Sequence, residues 1–344
     1  MKNYLLLIGL ICYCSTLKAQ YIPTQKAPDT KKTHKEYQQK IEDLKSRTTI
    51  FVMPNYIEPQ HYHDILKEYW TFNKFKVIPA ESYNCEQYIS DEYVVFDLVL
   101  ETITRVDQTT RAQQVVGVYP ELMLRTFDPR LKGVLKKIRS KNYKTSKKNE
   151  RINDAYNSYH TPWVKIFMSI EGDVNYFDRD LISTLYQKDI MVNFSLGHFK
   201  NYIQKLNKDL ENYQLFTRSR IPEISIVSKE MVQLIDHTLY VHDYLGANKK
   251  GISGEEHIKD LFEDYRYDYD IVSKKELEAA ILDNKPMYYI TFTNYLSKEK
   301  CITITNGQTG KVVFRHLVPG MVTSSDYLKK KHIKDIINEL PKKQ

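Results

Sequence analysis

The stretch of residues 237–317 constrains the fold most, because strand and helix patterns alternate along it without interruption. Residues 238–241 (TLYV) are apolar and β-favouring, as in a buried strand. Farther on, four apolar residues at positions i, i+3, i+4 and i+7 predict a helix with one buried stripe. These four are Ile258, Leu261, Phe262 and Tyr265. The stretch is therefore predicted to begin as a strand followed by a helix.

The second half of this stretch predicts a strand, a second helix and a three-stranded meander. Ser273 and Glu276 form the Ser-x-x-Glu capping box that marks a helix start. Pro286 ends that helix, and residues 287–295 are rich in β-branched and aromatic side chains. The sequence NGQTG at 306–310 lies between two apolar runs, and its glycines suit a hairpin turn. The whole stretch is predicted as a β-α-β-α-β-β-β module.

Residues 47–99 repeat part of this pattern in a diverged form. The matches are 49–52 with 238–241, then Tyr62, Ile65, Leu66 and Tyr69 with the four helical residues above, Phe75 with Tyr269, and Val94 with Tyr288. The last two matches share one offset of 194 positions, which favours an internal duplication. Two unrelated αβ segments are the alternative. Residues 81–90 contain no capping box, so the second helix of the first copy is only weakly predicted.

These patterns predict an α/β fold with mixed sheets, in which a helical segment joins two diverged copies of the module. A chain of 344 residues is long enough for more than one hydrophobic core. The predicted parts are a signal peptide at 1–19, a leader and short helix at 20–46, the first module at 47–150, a connecting strand and helix region at 151–229, and the second module with a C-terminal helix at 230–344. The last part has enough strands for a sheet of its own, so we expect it to fold alone.

The first 19 residues have the features of a secretory signal peptide. Lys2 precedes an apolar run at residues 5–12, and the small residue Ala19 stands before Gln20. The run is shorter than the about 20 residues that span a bilayer. Two cysteines in this segment leave a lipoprotein as the alternative, although each follows a large residue where a small one is expected. We therefore expect an exported protein, periplasmic or secreted.

Two cysteines, Cys85 and Cys301, remain after removal of the signal peptide, one in each copy. In an oxidising compartment they could form a disulfide bond with each other. Two separate buried thiols are the other interpretation. A scaffold that depends on several disulfides is excluded in either case.

Nine basic residues and no acidic residue occur from position 130 to position 148. They are Arg130, Lys132, Lys136, Lys137, Arg139, Lys141, Lys144, Lys147 and Lys148. Such a run is commonly a solvated loop or helix face, and the functional alternative is contact with an anionic partner. Nine like charges would repel one another if buried. We therefore expect the run to be exposed and to form the contact site of any anionic partner.

Three more elements are predicted outside the two copies. Residues 163–170 have a strand pattern, and Asp178 is a candidate N-cap for the helix that begins DLISTLYQ. A longer amphipathic helix with apolar residues from 199 to 213 follows, and we expect it to pack on the modules. Residues 325–340 predict a basic helix at the C-terminus.

The sequence contains no Gly-x-Ser-x-Gly elbow, His-Glu-x-x-His motif, Walker loop or Cys-x-x-Cys pair. The segment SKEK at 297–300 matches Ser-x-x-Lys without its companion motifs, and we interpret it as a turn. His61 and His63 lie two positions apart on a predicted helix, so their side chains diverge and metal binding is not expected. Four residues with oxygen ligands also fail the spacing of an EF-hand calcium loop. They are Asp173, Asn175, Asp178 and Asp180.

The segment LFEDYRYDYDIVSKKELEAAIL at 261–282 and the turn TNGQTGKVV at 305–313 resemble a group of secreted proteins from Bacteroidota-type bacteria. The resemblance extends weakly to the helix at 194–213 and covers about half of the chain. It implies export and a duplicated α/β module. It brings no catalytic residue with it.

Together these observations predict a non-catalytic binding or structural protein of the cell envelope. The expected partner is an anionic envelope component or another protein, with no cofactor, no metal, no specific nucleic acid and no transmembrane segment. The alternative is a hydrolase that acts on envelope polymer or glycan, with its site in a cleft between the two copies.

We predict cleavage of the exported chain between Ala19 and Gln20, because the charge, the apolar run and the small residue coincide there. Cleavage removes Lys2 and Lys18 and lowers the formal net charge from +8 to +6. N-terminal sequencing of the exported protein should begin at Gln20. An intact first methionine, or a lipid on Cys12, would contradict the prediction.

Overall fold

Two six-stranded mixed sheets carry the fold. The computed structural model describes residues 21–23, 30–106, 113–170, 180–215, 225–246, 254–295, 299–318 and 327–340. The strands are β1 (Tyr21–Pro23), β2 (Thr48–Met53), β3 (Lys74–Pro79), β4 (Tyr93–Val106), β5 (Gln113–Phe127), β6 (His160–Phe167), β7 (Ser225–Val227), β8 (Leu239–His242), β9 (Tyr269–Val272), β10 (Tyr288–Tyr295), β11 (Glu299–Asn306) and β12 (Val312–Val318).

Nine α-helices lie within these ranges, accompanied by four shorter 3-10 segments. The helices are α1 (Lys31–Lys45), α2 (Pro59–Tyr69), α3 (Arg130–Ser140), α4 (Thr145–Ser158), α5 (Leu181–Gln187), α6 (Leu196–Glu211), α7 (Glu255–Leu261), α8 (Lys274–Leu282) and α9 (Lys330–Asn338). The 3-10 segments are Ala80–Ser82, Cys85–Tyr88, Lys229–Ile235 and Asp243–Gly246. None of these helices combines the length and apolar character that a membrane span requires.

The two sheets have the same strand order and the same strand directions. The first runs β1-β6-β5-β4-β2-β3 and the second runs β7-β12-β11-β10-β8-β9. In the first sheet β2 is parallel to β3 and β4, and in the second β8 is parallel to β9 and β10. The other pairs are antiparallel. The predicted α/β fold, with mixed sheets in two modules of one topology, is confirmed. The common origin of the modules stays a prediction.

A short strand that precedes each module in the chain completes its sheet. β1 pairs with β6 at one edge, and β7 pairs with β12 at the equivalent edge. The region predicted as a connector, residues 151–229, supplies β6 to the first sheet and β7 to the second. The predicted boundary at residue 150 falls inside α4, and the one at residue 230 falls inside a 3-10 segment. The sheets therefore extend beyond the predicted module boundaries.

The strand ladders establish which residues of the two modules correspond. The central strand pairs at Thr49 with Phe75 and Val94, and at Leu239 with Tyr269 and Tyr288. Phe75 therefore corresponds to Tyr269, and Val94 corresponds to Tyr288. Both correspondences have the predicted offset of 194 positions. Thr49 corresponds to Leu239, however, so the predicted match with Thr238 was wrong by one residue. Such a slip exchanges the two faces of a strand.

Local signals place the helix starts. Ser273 and Glu276 form the predicted capping box of α8, with 2.8 Å between the Ser273 nitrogen and the Glu276 carboxylate. The first module has two 3-10 segments in place of this helix. α5 begins after Asp180, whereas the predicted cap, Asp178, lies outside the described residues. The weak periodicity of residues 81–90 is thus matched by the loss of a regular helix.

α6 lies between the two sheets and packs in both modules. Phe199, Ile203 and Leu206 belong to the largest hydrophobic cluster, on the face of the first sheet that α2 also covers. The opposite side of α6 crosses α8 and faces the second sheet. All seven residues at 197–203 are buried. This half of the helix therefore has no solvent-exposed side.

Polar side chains bind α6 to the second module. The Lys200 ammonium donates to the carbonyl of Ile281 at 2.7 Å. Asn201 donates to the carbonyl of Gly307 at 2.9 Å and accepts from the Tyr289 hydroxyl at 3.1 Å. Buried polar groups are costly unless they are paired, so these bonds specify one position of the helix on the sheet.

The second sheet depends on α6 for the cover of one face. A fragment of residues 230–344 would lack α6 and also the edge strand β7. It would leave Tyr289, which is 2% exposed, without its neighbours on α6. The expectation that this fragment folds alone therefore stays a prediction, and the loss of this cover argues against it.

Gly310→Ala should destabilise the protein by about 2 kcal/mol or more. Gly310 has a φ of +65°, and an added Cβ would lie 2.2 Å from the Asn201 carbonyl oxygen of α6. Gly133→Ala is the matched control, since an added Cβ there meets nothing within 4 Å. Because Gly133 lies inside helix α3, Gly133→Ala should raise the free energy of unfolding by roughly 0.5–1 kcal/mol. Urea unfolding followed by circular dichroism measures both, and equal effects would contradict the close packing of α6.

Candidate functional site

Open α/β sheets usually bind ligands at the carboxyl ends of their parallel strands, where successive connections diverge. In both modules a tyrosine occupies this place. The N–H of Leu98 donates to the Tyr186 hydroxyl at 2.8 Å, and the N–H of Phe292 donates to the Tyr244 hydroxyl at 3.0 Å. Leu98 and Phe292 are 194 positions apart and correspond to each other. Burial raises the pKa of both hydroxyls, so each tyrosine is a neutral part of the protein interior.

The boundary between the modules is filled by α6. A pocket of about 20 Å³ remains there, lined by Asn201, Tyr289 and Gly310 among others. A volume of this size holds about one water molecule. The hydrolase alternative requires a cleft between the modules, and this pocket is too small for a polymer.

Two neutral histidines also lie at this boundary. The Ser195 hydroxyl is 3.0 Å from Nδ1 of His198 and accepts the backbone N–H of the same residue at 3.3 Å, which caps α6. Burial lowers the pKa of His198 to about 3, and repulsion from a protonated His242 and from Lys274 contributes to the shift. Burial also lowers the pKa of His242. Ser195 is 2% exposed, so this pair serves as a helix cap and not as an accessible nucleophile.

A buried ion pair lies on the other face of the first sheet. Arg125 donates from Nε to Asp97 at 2.9 Å and makes a second bond at 2.5 Å. The Tyr83 hydroxyl is 3.4 Å from the same carboxylate. Burial raises the pKa of Asp97, whereas the Arg125 charge opposes that shift. Both partners are buried and bonded to each other, so the pair fixes β4 against β5 and offers no free group.

A second charged cluster on this face joins three neighbouring strands. Lys165 contacts Glu101 and lies 3.2 Å from Glu121. Glu121 is fully buried, and burial together with the neighbouring Glu101 carboxylate raises its pKa well above the usual value. Burial alone would raise the pKa of Glu101, but the neighbouring Glu121 and the Lys165 charge lower it overall. The pKa values of the two carboxyl groups are therefore shifted in opposite directions.

The nine predicted contact residues lie together on α3, on α4 and in the loop between them. The two helices pack against each other as a hairpin. Eight of the nine side chains are exposed, and Lys148 is half-buried. The buried side chains Leu131, Leu135 and Ala155 turn instead toward the sheet. The alternation of apolar and basic residues thus gives this surface an excess of positive charge, although Glu150 and Asp154 are also exposed on α4.

Carboxylates engage both arginines of this set. Arg130 binds Asp128 at 2.9 Å, and Arg139 binds Glu86 at 2.6 Å. Lys148 lies 3.5 Å from the Arg139 carbonyl. The remaining six lysines make no ion pair with an acidic side chain anywhere in the described ranges. They are Lys132, Lys136, Lys137, Lys141, Lys144 and Lys147.

This hairpin carries most of the net charge of the chain. Residues 128–158 include 10 Lys and Arg and 3 Asp and Glu, a net charge of +7, whereas the full chain has +8. The hairpin connects β5 to β6, and the equivalent connection in the second module, β11 to β12, is a tight turn at 307–311. An open groove of about 480 Å³ lies between α3 and α4. The charge is therefore concentrated in an insertion that only one module has.

The other predicted candidates form no site. His61 and His63 are exposed on α2. Within the described ranges, no three His, Cys, Asp or Glu side chains converge as a metal ion would require. Cys85 and Cys301 are not joined by a disulfide bond, in agreement with the interpretation of two separate thiols, and Cys301 is buried whereas Cys85 is half-buried. Outside the described ranges lie Asp173, Asn175, Asp178 and Ser297.

Comparisons of the chain with protein-family models, with curated proteins and with solved structures find no match. The resemblance to secreted proteins of Bacteroidota-type bacteria therefore stays a prediction.

Glu121→Gln should stabilise the protein more at pH 8 than at pH 5. The pKa of Glu121 is raised in the folded state, so the folded chain keeps a proton that the unfolded chain releases above about pH 4.3. Wild-type stability therefore falls as the pH rises, whereas glutamine stays neutral. The gain at pH 8 should be on the order of 1 kcal/mol.

The control is Glu101→Gln, whose effect should have the opposite sign. The folded pKa of Glu101 is lowered, so its charge stabilises the fold above the unfolded pKa and its removal should destabilise at both pH values. Urea unfolding at pH 5 and pH 8 measures both variants. The same pH trend in the two variants would contradict a proton on Glu121.

Proposed function

We propose that this protein is an exported, non-catalytic binding protein of the cell envelope, and that the α3–α4 hairpin contacts its anionic partner. The observation that carries the proposal is the location of the charge. Two modules of the same topology differ at the connection between their last two strands, and the longer connection holds +7 of the net charge of +8. Insertions on a rigid scaffold are common places for binding residues.

The state of the lysines supports a binding role. Ion pairs inside the protein would neutralise them, yet six of the nine basic residues at 130–148 have no acidic partner within the described ranges. Neighbouring ammonium groups repel one another, and an anionic partner relieves that repulsion. The apolar side of the hairpin is fixed to the sheet through Leu131 and Leu135, so the charged side is held outward.

The burial of the described polar groups at the strand ends and at the boundary between the modules favours binding over catalysis. Tyrosines fill both crevices at the strand ends, and α6 fills the boundary between the modules. The Ser195–His198 pair is buried as a helix cap. The hydrolase alternative therefore gains no specific observation in its favour among the described residues.

Replacing the six unpaired lysines of the hairpin by glutamine should weaken binding to the envelope fraction by about tenfold or more, because each cation near an anionic surface contributes about 1 kcal/mol. The variant combines Lys132→Gln, Lys136→Gln, Lys137→Gln, Lys141→Gln, Lys144→Gln and Lys147→Gln. Sedimentation of the purified protein with the envelope fraction of its own cells measures the binding.

The matched control removes the same charge elsewhere. It combines Lys31→Gln, Lys35→Gln, Lys40→Gln, Lys67→Gln, Lys74→Gln and Lys76→Gln, all at exposed positions. This variant has the same net charge as the hairpin variant and should sediment like the wild type. Equal losses in the two variants would mean that overall charge, and not the hairpin, governs binding.

A further inference from the structure

The unpaired cations of the hairpin are all of one chemical kind, apart from Arg151 of α4. Arg130 and Arg139 are occupied by Asp128 and Glu86, so their planar guanidinium groups are not free for paired bonds to a ligand. The Arg151 guanidinium lies 4.6 Å from the centre of the Tyr143 ring, which fixes its position. The six groups without a carboxylate partner are lysine ammoniums, and that of Lys141 lies 6.0 Å from the centre of the same Tyr143 ring. These are strongly hydrated point charges that attract anions without demanding one geometry.

The lysines follow the helices in rows. On α3, Lys132 and Lys136 are one helical turn apart, and Lys137 is adjacent to the second of them. On α4, Lys147 and Arg151 have the same one-turn separation. Four residues advance about 6 Å along a helix axis, so cations recur at short intervals over two packed helices. A partner with closely repeated charges along its length matches this surface, whereas a single small anion would contact only a part of it.

The hairpin has no exposed large hydrophobic side chain for insertion into a lipid bilayer, and Val134 and Ile138 are half-buried in its groove. Its apolar side chains Leu131 and Leu135 are buried against the sheet. The exposed large hydrophobic side chains of the described residues, Val227, Val232 and Leu282, all lie outside it. Helices that lie in a membrane interface bury a continuous apolar face among the lipid tails. These observations favour a hydrated polymer over a membrane surface.

We propose that the partner of the α3–α4 hairpin is a linear polyanion, held by lysine point charges through the release of its counterions. This inference rests on the proposed function and adds the chemical class of the ligand. Binding is governed by the density of negative charge along the polymer and not by the identity of its repeating unit. It weakens steeply with salt, because each lysine that replaces a counterion adds to the salt dependence.

The test uses the full chain with two probes, fluorescein-labelled inorganic polyphosphate and vesicles of equal parts phosphatidylglycerol and phosphatidylcholine. Binding is titrated between about 50 and 200 mM salt. For six lysines, the logarithm of the association constant should fall with the logarithm of the salt concentration with a slope of about −4. The wild type and the control variant with the six distant lysines replaced should both bind polyphosphate in this way, and more tightly than vesicles.

The hairpin variant should bind polyphosphate at least about tenfold more weakly and with a shallower slope, since its contacts with the polymer are gone. Its thermal unfolding midpoint should match that of the control, which excludes loss of the fold as the cause. Vesicle binding as tight as polyphosphate binding would overturn the linear polymer and leave the anionic partner in place. A slope near zero would also overturn it. Polyphosphate binding that the hairpin variant retains, or binding to neither probe, would overturn this inference and the proposed function together.

Discussion

The rest of the structure depends on the burial of one helix from both sides. α6 contributes Phe199 and Ile203 to the core of the first module and Lys200 and Asn201 to the face of the second. A helix buried all round can carry polar groups only where each has a partner, and both of these polar side chains have one. The apolar side supplies most of the driving force, and the polar side specifies how the two sheets are joined.

Much of the fold could be predicted because its signals are local. The Ser273–Glu276 capping box and the offset of 194 positions needed no knowledge of distant contacts. The central strand was misaligned by one residue because Ile50, Phe51, Val52 and Met53 are all buried. A strand buried on both faces has no alternation to mark which face is which. The edge strands β1 and β7 have three residues each, too few for any periodic pattern.

The residues of the candidate site could be predicted from the sequence, but their place in the fold could not. A run of nine cations is visible in the sequence, and the apolar residues between them predict a helical face. That the run is an insertion between β5 and β6 depends on the strand order of both sheets. The Glu101–Glu121–Lys165 cluster was missed because its members come from three strands up to 64 positions apart. Each member is a charged residue inside an apolar strand, which indicates a buried charge. The sequence alone does not indicate which residues of the other strands contact it.

The placement of the hairpin charge has a consequence for crowding. Outside residues 128–158 the full chain has a formal net charge of only +1, because the hairpin holds +7 of the total of +8. If the proposed polymer neutralises the hairpin, the remainder of each bound molecule is almost uncharged. Neighbouring copies then repel one another very little, so they can assemble side by side along one polymer chain. A protein with the same total charge spread evenly would keep its neighbours apart.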